Sequence, residues 1–129
     1  SGLPEIHDDD PLTFVQVQPD YTGSIALIND TTAPNAKTFE YNKNDIGWQT
    51  YNVGDEITMK YKDKVQFRSN DTLPICSANY NRKFITNGIF KCGGDLRSLY
   101  PGDVINSNYC FKRLFENTKI LNVPKLPYT

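Results

Sequence analysis

From Leu12 to about Phe90 the apolar residues recur at every second position in short runs, the period of a half-buried β-strand. In "LTFVQVQ", Leu12 and Phe14 flank Thr13, then Val15 and Val17 alternate with Gln16 and Gln18. "GSIALIN" sets Ile25 and Leu27 opposite Ala26 and Ile28, "EITMKY" puts Ile57, Met59 and Tyr61 on one face, and "KVQFRS" does the same for Val65 and Phe67. "KTFEYN" and "WQTYNV" flank the turn "KNDIG". Each run is bounded by Gly, Asn, Asp or Pro, residues that supply turn geometry or cap it with a side chain. Seven or eight short strands at regular spacing predict an antiparallel β-sandwich over residues 12–95.

The period lengthens after "CGGDLRSLYPGD". In "NYCFKRLFENTKIL", Cys110, Phe111, Leu114 and Phe115, followed by Ile120 and Leu121, keep helical spacing and predict one amphipathic helix of two to three turns. Asn106, Ser107 and Asn108 are candidate caps for its start. In the tail "ILNVPKLPYT", Pro124 and Pro127 forbid helix and bias Val123 and Leu126 toward extended backbone. The expectation for residues 96–129 is therefore a single helix-strand unit, the building block of a leucine-rich solenoid.

The halves "NYCFKRLFEN" and "TKILNVPKLPYT" resemble the BspA-like leucine-rich repeats of surface proteins from gut Bacteroidetes (the group that includes Bacteroides) and some parasitic protists. The cysteine that separates the two halves in that family is missing, so Asn117 joins Thr118 directly. Upstream, "FEYNKNDIGWQTY", "VGDEITMKYKDKVQFRSN" and "RKFITNGIFKCGGDLRSLYPGDVI" are similar, in the same order, to the amino-terminal β-domain that precedes the repeats in such proteins. The turn before Trp48 is shorter than the family's. The resemblance spans Leu12 to Thr129 and implies a β-domain closing the amino-terminal end of a repeat array, since a terminal repeat needs its apolar face shielded from water. Leu96, Leu99, Phe111, Leu114, Phe115 and Leu121, with Cys110, are the structural residues expected to pack together against the sheet. The implied role is that of a secreted or cell-surface adhesion and protein-binding module without catalysis. Its partner would be a host or bacterial surface protein or a glycan, and any membrane attachment would run through an anchor that has been removed.

Composition narrows the chemistry. The chain has 129 residues and a formal net charge of −1, so it lacks the basic field that nucleic-acid binding requires. No stretch approaches the roughly 20 apolar residues needed to span a bilayer. Residues 1–11, "SGLPEIHDDDP", read as a disordered leader and expression remnant joined to a mature chain. A single domain of this size needs no partner to complete its core, and a monomer is expected.

His7 is the only histidine and lies in that leader, which removes any histidine-based triad from the folded region. The acidic pairs Asp55 with Glu56 and Asp20 with Asp30 read as turn and strand-end residues rather than as a glycosidase pair. "YNKNDIG" lacks the twelve-residue calcium loop, and no catalytic residue, metal or cofactor is expected. Three cysteines, Cys76, Cys92 and Cys110, cannot all pair within the chain. Three buried free thiols are expected, a Cys76–Cys92 bridge being open if their strands are neighbours. The Asn29 and Asn70 N-x-T sequences read as turns. The alternative function is a carbohydrate-binding module that uses exposed aromatics around Trp48 and Tyr51.

Overall fold

The computed structural model describes residues 2–30, 36–76, 81–101, 114–116 and 118–122. Among these residues eight strands form: β1 (Leu12–Gln16), β2 (Thr22–Asn29), β3 (Phe39–Lys43), β4 (Gln49–Tyr51), β5 (Ile57–Lys60), β6 (Lys64–Arg68), β7 (Arg82–Asn87) and β8 (Phe90–Gly93). They make a five-stranded sheet in the order β4-β3-β6-β1-β8 and a three-stranded sheet in the order β5-β2-β7. Every pairing between these strands is antiparallel. The chain is mostly β, a two-sheet sandwich. Among these eight strands only β3 and β4 form a hairpin; each other connection between them carries the chain across to the opposite sheet.

Period-two patterning decides which side chains meet between the layers. Phe14, Phe39, Val65 and Phe67 from one sheet and Ile25, Leu27, Met59 and Phe84 from the other are fully or almost fully buried. The rings interlock, with Phe14 and Phe84 centroids 4.7 Å apart, Phe67 and Phe84 5.1 Å apart, and Tyr51 edge-on to Phe67 at 5.4 Å. Each such pair contributes about 1 kcal/mol beyond the area it removes from water.

A 3₁₀ turn at Leu96–Leu99, started by the side chain of Asp95 accepting from the Arg97 N–H, inserts Leu96 and Leu99 into this core. Leu114 and Phe115 enter it as well, Phe115 lying 6.3 Å from Phe14 and 6.1 Å from Phe84. The expected helix falls largely outside the described residues, as do Cys110, Phe111 and the tail beyond Asn122.

Where the chain returns, Ile120 lies parallel to Phe90 on the outer edge of β8. Phe90 N–H donates to the Lys119 carbonyl at 3.1 Å, and Leu121 N–H donates to the Phe90 carbonyl at 2.9 Å. Lys119 N–H reaches the Thr86 hydroxyl on β7 at 3.4 Å, so this short segment spans the gap between the two sheets at one side of the sandwich. Ile120 packs on the core. Leu121, expected within the buried cluster, is instead 65% exposed. The reason is local: next to β8 the backbone is extended, and the residue after an inward-facing Ile120 points outward.

Residues 2–11 also differ from the expected disordered leader. A turn closes where Asp10 N–H donates to the His7 carbonyl, Asp95 N–H donates to the Asp10 carbonyl at 2.7 Å, and Pro11 bridges Asp95. Gly93 leaves room for Ile6, whose Cγ2 would lie 2.8 Å from a Cβ at that position. This strap covers the solvent side of β1 and β8, where Thr13 and Val15 are fully buried.

The cysteine expectation is corrected. Cys76 is disulfide-bonded, whereas Cys92 is free and buried on β8. The two do not pair, and the partner of Cys76 lies outside the described residues. Burial pushes the Cys92 thiol well above its ordinary pKa, opposed only weakly by the Gly93 backbone N–H.

Candidate functional site

At the edge of the five-stranded sheet farthest from β8, three strands present a polar row to solvent. Register pairs Glu40 on β3 with Thr50 on β4 and with Arg68 on β6. Their neighbours Phe39, Tyr51 and Phe67 point into the core, so alternation sends Thr50, Glu40 and Arg68 outward. Arg68 Nε donates to Glu40 Oε1 at 2.8 Å, and Asn70 Nδ2 donates to the same oxygen at 2.8 Å. The Arg68 hydrogen bond, reinforced by that of Asn70, holds the half-buried Glu40 carboxyl below its ordinary pKa.

Trp48, immediately before β4, lies beside this row, with the guanidinium carbon of Arg68 4.1 Å from its ring centroid. The β3–β4 turn sets its position. Asn44 and Asp45 adopt left-handed backbone at φ 55° and 61°, a region these two residue types tolerate. Gly47 N–H then donates to Asn42 Oδ1 at 3.0 Å, and Ile46 N–H to the Lys43 carbonyl at 3.2 Å. The turn is bound to the β5–β6 turn and the start of β6 by Asn44 Nδ2 to Asp63 Oδ1 at 3.0 Å and by the Lys64–Asp45 ion pair at 3.0 Å.

Tyr51, proposed as a second aromatic of a sugar platform, is not on this surface. It is 3% exposed and faces the core. Trp48 and Tyr51 are three residues apart, and an odd separation on a strand sends them to opposite faces. Trp48 is itself half-buried with Arg68 laid over it, so it is no bare stacking surface. Glu40 and Arg68 were not singled out from the sequence, and Asn70 was read only as a turn residue. Their outward direction was readable from "FEYN" and "KVQFR", but their meeting depends on the β3–β6 register.

A second polar cluster sits at the end of the sandwich where β3 and β7 begin. The Lys37 side chain is fully buried and its Nζ lies 2.9 Å from Asp71 Oδ1 and 5.7 Å from the ring centroids of both Phe39 and Tyr100. Asp71 also accepts from Thr38 N–H at 2.8 Å and Leu73 N–H at 3.0 Å. Burial raises the Asp71 carboxyl, but the bonds from Thr38, Lys37 and Leu73 together outweigh it and bring its pKa to about 2. For Lys37 the balance falls the other way: burial lowers its pKa more than Asp71 raises it. Arg82, 1% exposed, places its guanidinium 5.4 Å from the Phe39 ring and donates from Nη1 to the Ile75 carbonyl at 3.0 Å. These contacts join residues 36–38 and 71–76 to the start of β7.

Two of the acidic residues weighed for catalysis, Asp30 and Asp55, serve local structure. Asp30 pairs with Lys83 at 3.1 Å, and Asp55 accepts from Asn52 N–H within its own turn. His7 lies on an exposed turn 3.9 Å from Glu5. Among the described residues no group of three His, Cys, Asp or Glu side chains converges as a metal site would require.

No protein-family model, no curated protein and no solved structure matches this chain at a significant level.

Proposed function

We propose that this chain is a non-catalytic interaction module of a secreted or surface-displayed protein, in which the β-sandwich closes the amino-terminal end of a BspA-like helix-strand repeat and presents it for adhesion. The carrying observation is the attachment of the carboxy-terminal region. Leu114 and Phe115 are buried in the sandwich core, and Ile120 extends the sheet in parallel beside Phe90. That direction contrasts with the antiparallel pairing of the eight strands, and a parallel edge is what stacked helix-strand units continue, each burying the apolar side of its neighbour. The disulfide at Cys76 favours an oxidising, extracytoplasmic setting.

The test is extension. Two further copies of the repeat joined after Thr129 are expected to unfold together with the sandwich in one transition at a raised midpoint. An unchanged midpoint, or a separate transition for the added copies, overturns the capping role.

A further inference from the structure

The Glu40–Arg68 pair leaves part of its hydrogen-bonding capacity unused. Oε1 of Glu40 accepts from both Arg68 and Asn70, while Oε2 accepts from none of the described residues, and neither Nη of Arg68 donates to one. The two side chains are 29% and 36% exposed, so an open acceptor and a two-pronged donor stand together at the solvent border. The indole of Trp48 backs the guanidinium plane and limits its swing. Thr50, exposed in the adjoining strand, adds a hydroxyl to the same row.

Charge balance selects the ligand class. A carboxylate or phosphate suits an arginine fork, but here it would also meet the ionised Glu40. A cation would meet Arg68. A neutral polyol conflicts with neither, because each hydroxyl donates one hydrogen bond and accepts others. Adjacent hydroxyls can accept from Arg68 Nη and donate to Glu40 Oε2.

We propose that the row Thr50, Glu40 and Arg68, held by Asn70 and Trp48, is a binding site for neighbouring hydroxyl groups of a neutral sugar. Arg68 and Glu40 touch the ligand, and Trp48 is a positioning residue. The site goes beyond the capping role and lies at the opposite edge of the five-stranded sheet from β8, so either reading can fail without the other.

Trp48 is the only tryptophan, so its emission and indole N–H resonance report on this site alone. The intact chain is titrated with neutral hexasaccharides of glucose, mannose and galactose, and with an oligogalacturonate of equal length. At least one neutral sugar is expected to give a saturable change below roughly 10 mM, the range of a weak single-site contact. Glu40→Gln and Arg68→Lys are each expected to weaken it about tenfold, the loss of one charged hydrogen bond. Glu40→Gln is also expected to gain affinity for the acidic oligomer. An amide NMR spectrum confirms that each variant is folded. The proposal is overturned if none of the neutral sugars binds, if the acidic oligomer alone binds the unmodified chain, or if both folded variants bind as tightly as the parent.

Discussion

The backbone N–H of Leu27, in the middle of β2, donates to the hydroxyl of Tyr51 on β4 at 2.8 Å, a hydrogen bond that ties one sheet of the sandwich to the other. The same hydroxyl donates to the carbonyl of Asp55 in the turn between β4 and β5. Tyr51 thus closes the open side of a three-residue edge strand that has few ladder bonds of its own. It also explains why the residue cannot serve at the surface.

Tyr51→Phe keeps the ring and removes these bonds, leaving a buried N–H without that partner. A loss of about 1–3 kcal/mol is expected in chemical denaturation. Burial, the main cause, pushes the Tyr51 phenol up to about 12. A pKa raised above the unfolded value stabilises the fold fully below about pH 10, and that contribution is lost as pH rises toward 12. Ultraviolet titration is expected to show one phenolate forming near 12 in the parent chain and missing in the variant.

Asp71 gives the opposite pH dependence. Its folded pKa of about 2 lies below the ordinary aspartate value of 3.8. Its stabilisation is present above pH 4 and is lost as pH falls through that window toward 2. Asp71→Asn is expected to cost about 2 kcal/mol at pH 7, in line with charged hydrogen bonds, and to flatten the acid limb of a stability-versus-pH curve. An acid limb of unchanged steepness counts against this assignment.

Gly23 on β2 sits tightly against the backbone of β7. A Cβ there would stand 1.9 Å from the Asn87 carbonyl oxygen of β7, an atom that cannot swing aside. Gly23→Ala is expected to cost about 3 kcal/mol by forcing β2 and β7 apart. Hydrogen exchange along the β2–β7 ladder, from the Ser24–Asn87 pair to the Asn29–Arg82 pair, is expected to accelerate before exchange in β1 and β6. Gly93→Ala meets only the side chain of Ile6, so the milder expectation there is release of residues 2–8 to proteolysis.

The two described cysteines should separate chemically. Native alkylation is expected to spare Cys92, whose thiol is buried and held protonated, until the chain is unfolded. Reduction, or Cys76→Ser, is expected to lower stability by about 2–4 kcal/mol by freeing the unfolded chain. Equal stability of oxidised and reduced protein removes the disulfide's structural role.

The alternation along the chain was enough to set the strands and their inward faces, because period two is a property of the backbone itself. Phe14, Ile25, Leu27, Met59, Val65 and Phe67 are buried where that pattern puts them. It also contained, unread, the fact that Trp48 and Tyr51 face opposite ways. Which strands pair was another matter. Nothing local shows that β5 and β6, joined by three residues, belong to different sheets, or that Glu40 meets Arg68 across a 28-residue separation. The disulfide of Cys76 and the buried position of Lys37 likewise depend on which loops gather at one end of the sandwich.

Local sequence therefore determined the elements and the identity of most core residues, since both follow from backbone geometry and the aversion of apolar side chains to water. Tertiary structure alone decided the register that assembles Thr50, Glu40 and Arg68 and the attachment of Ile120 beside Phe90. Those depend on pairings between distant segments, whose free energies are settled only when the whole core closes.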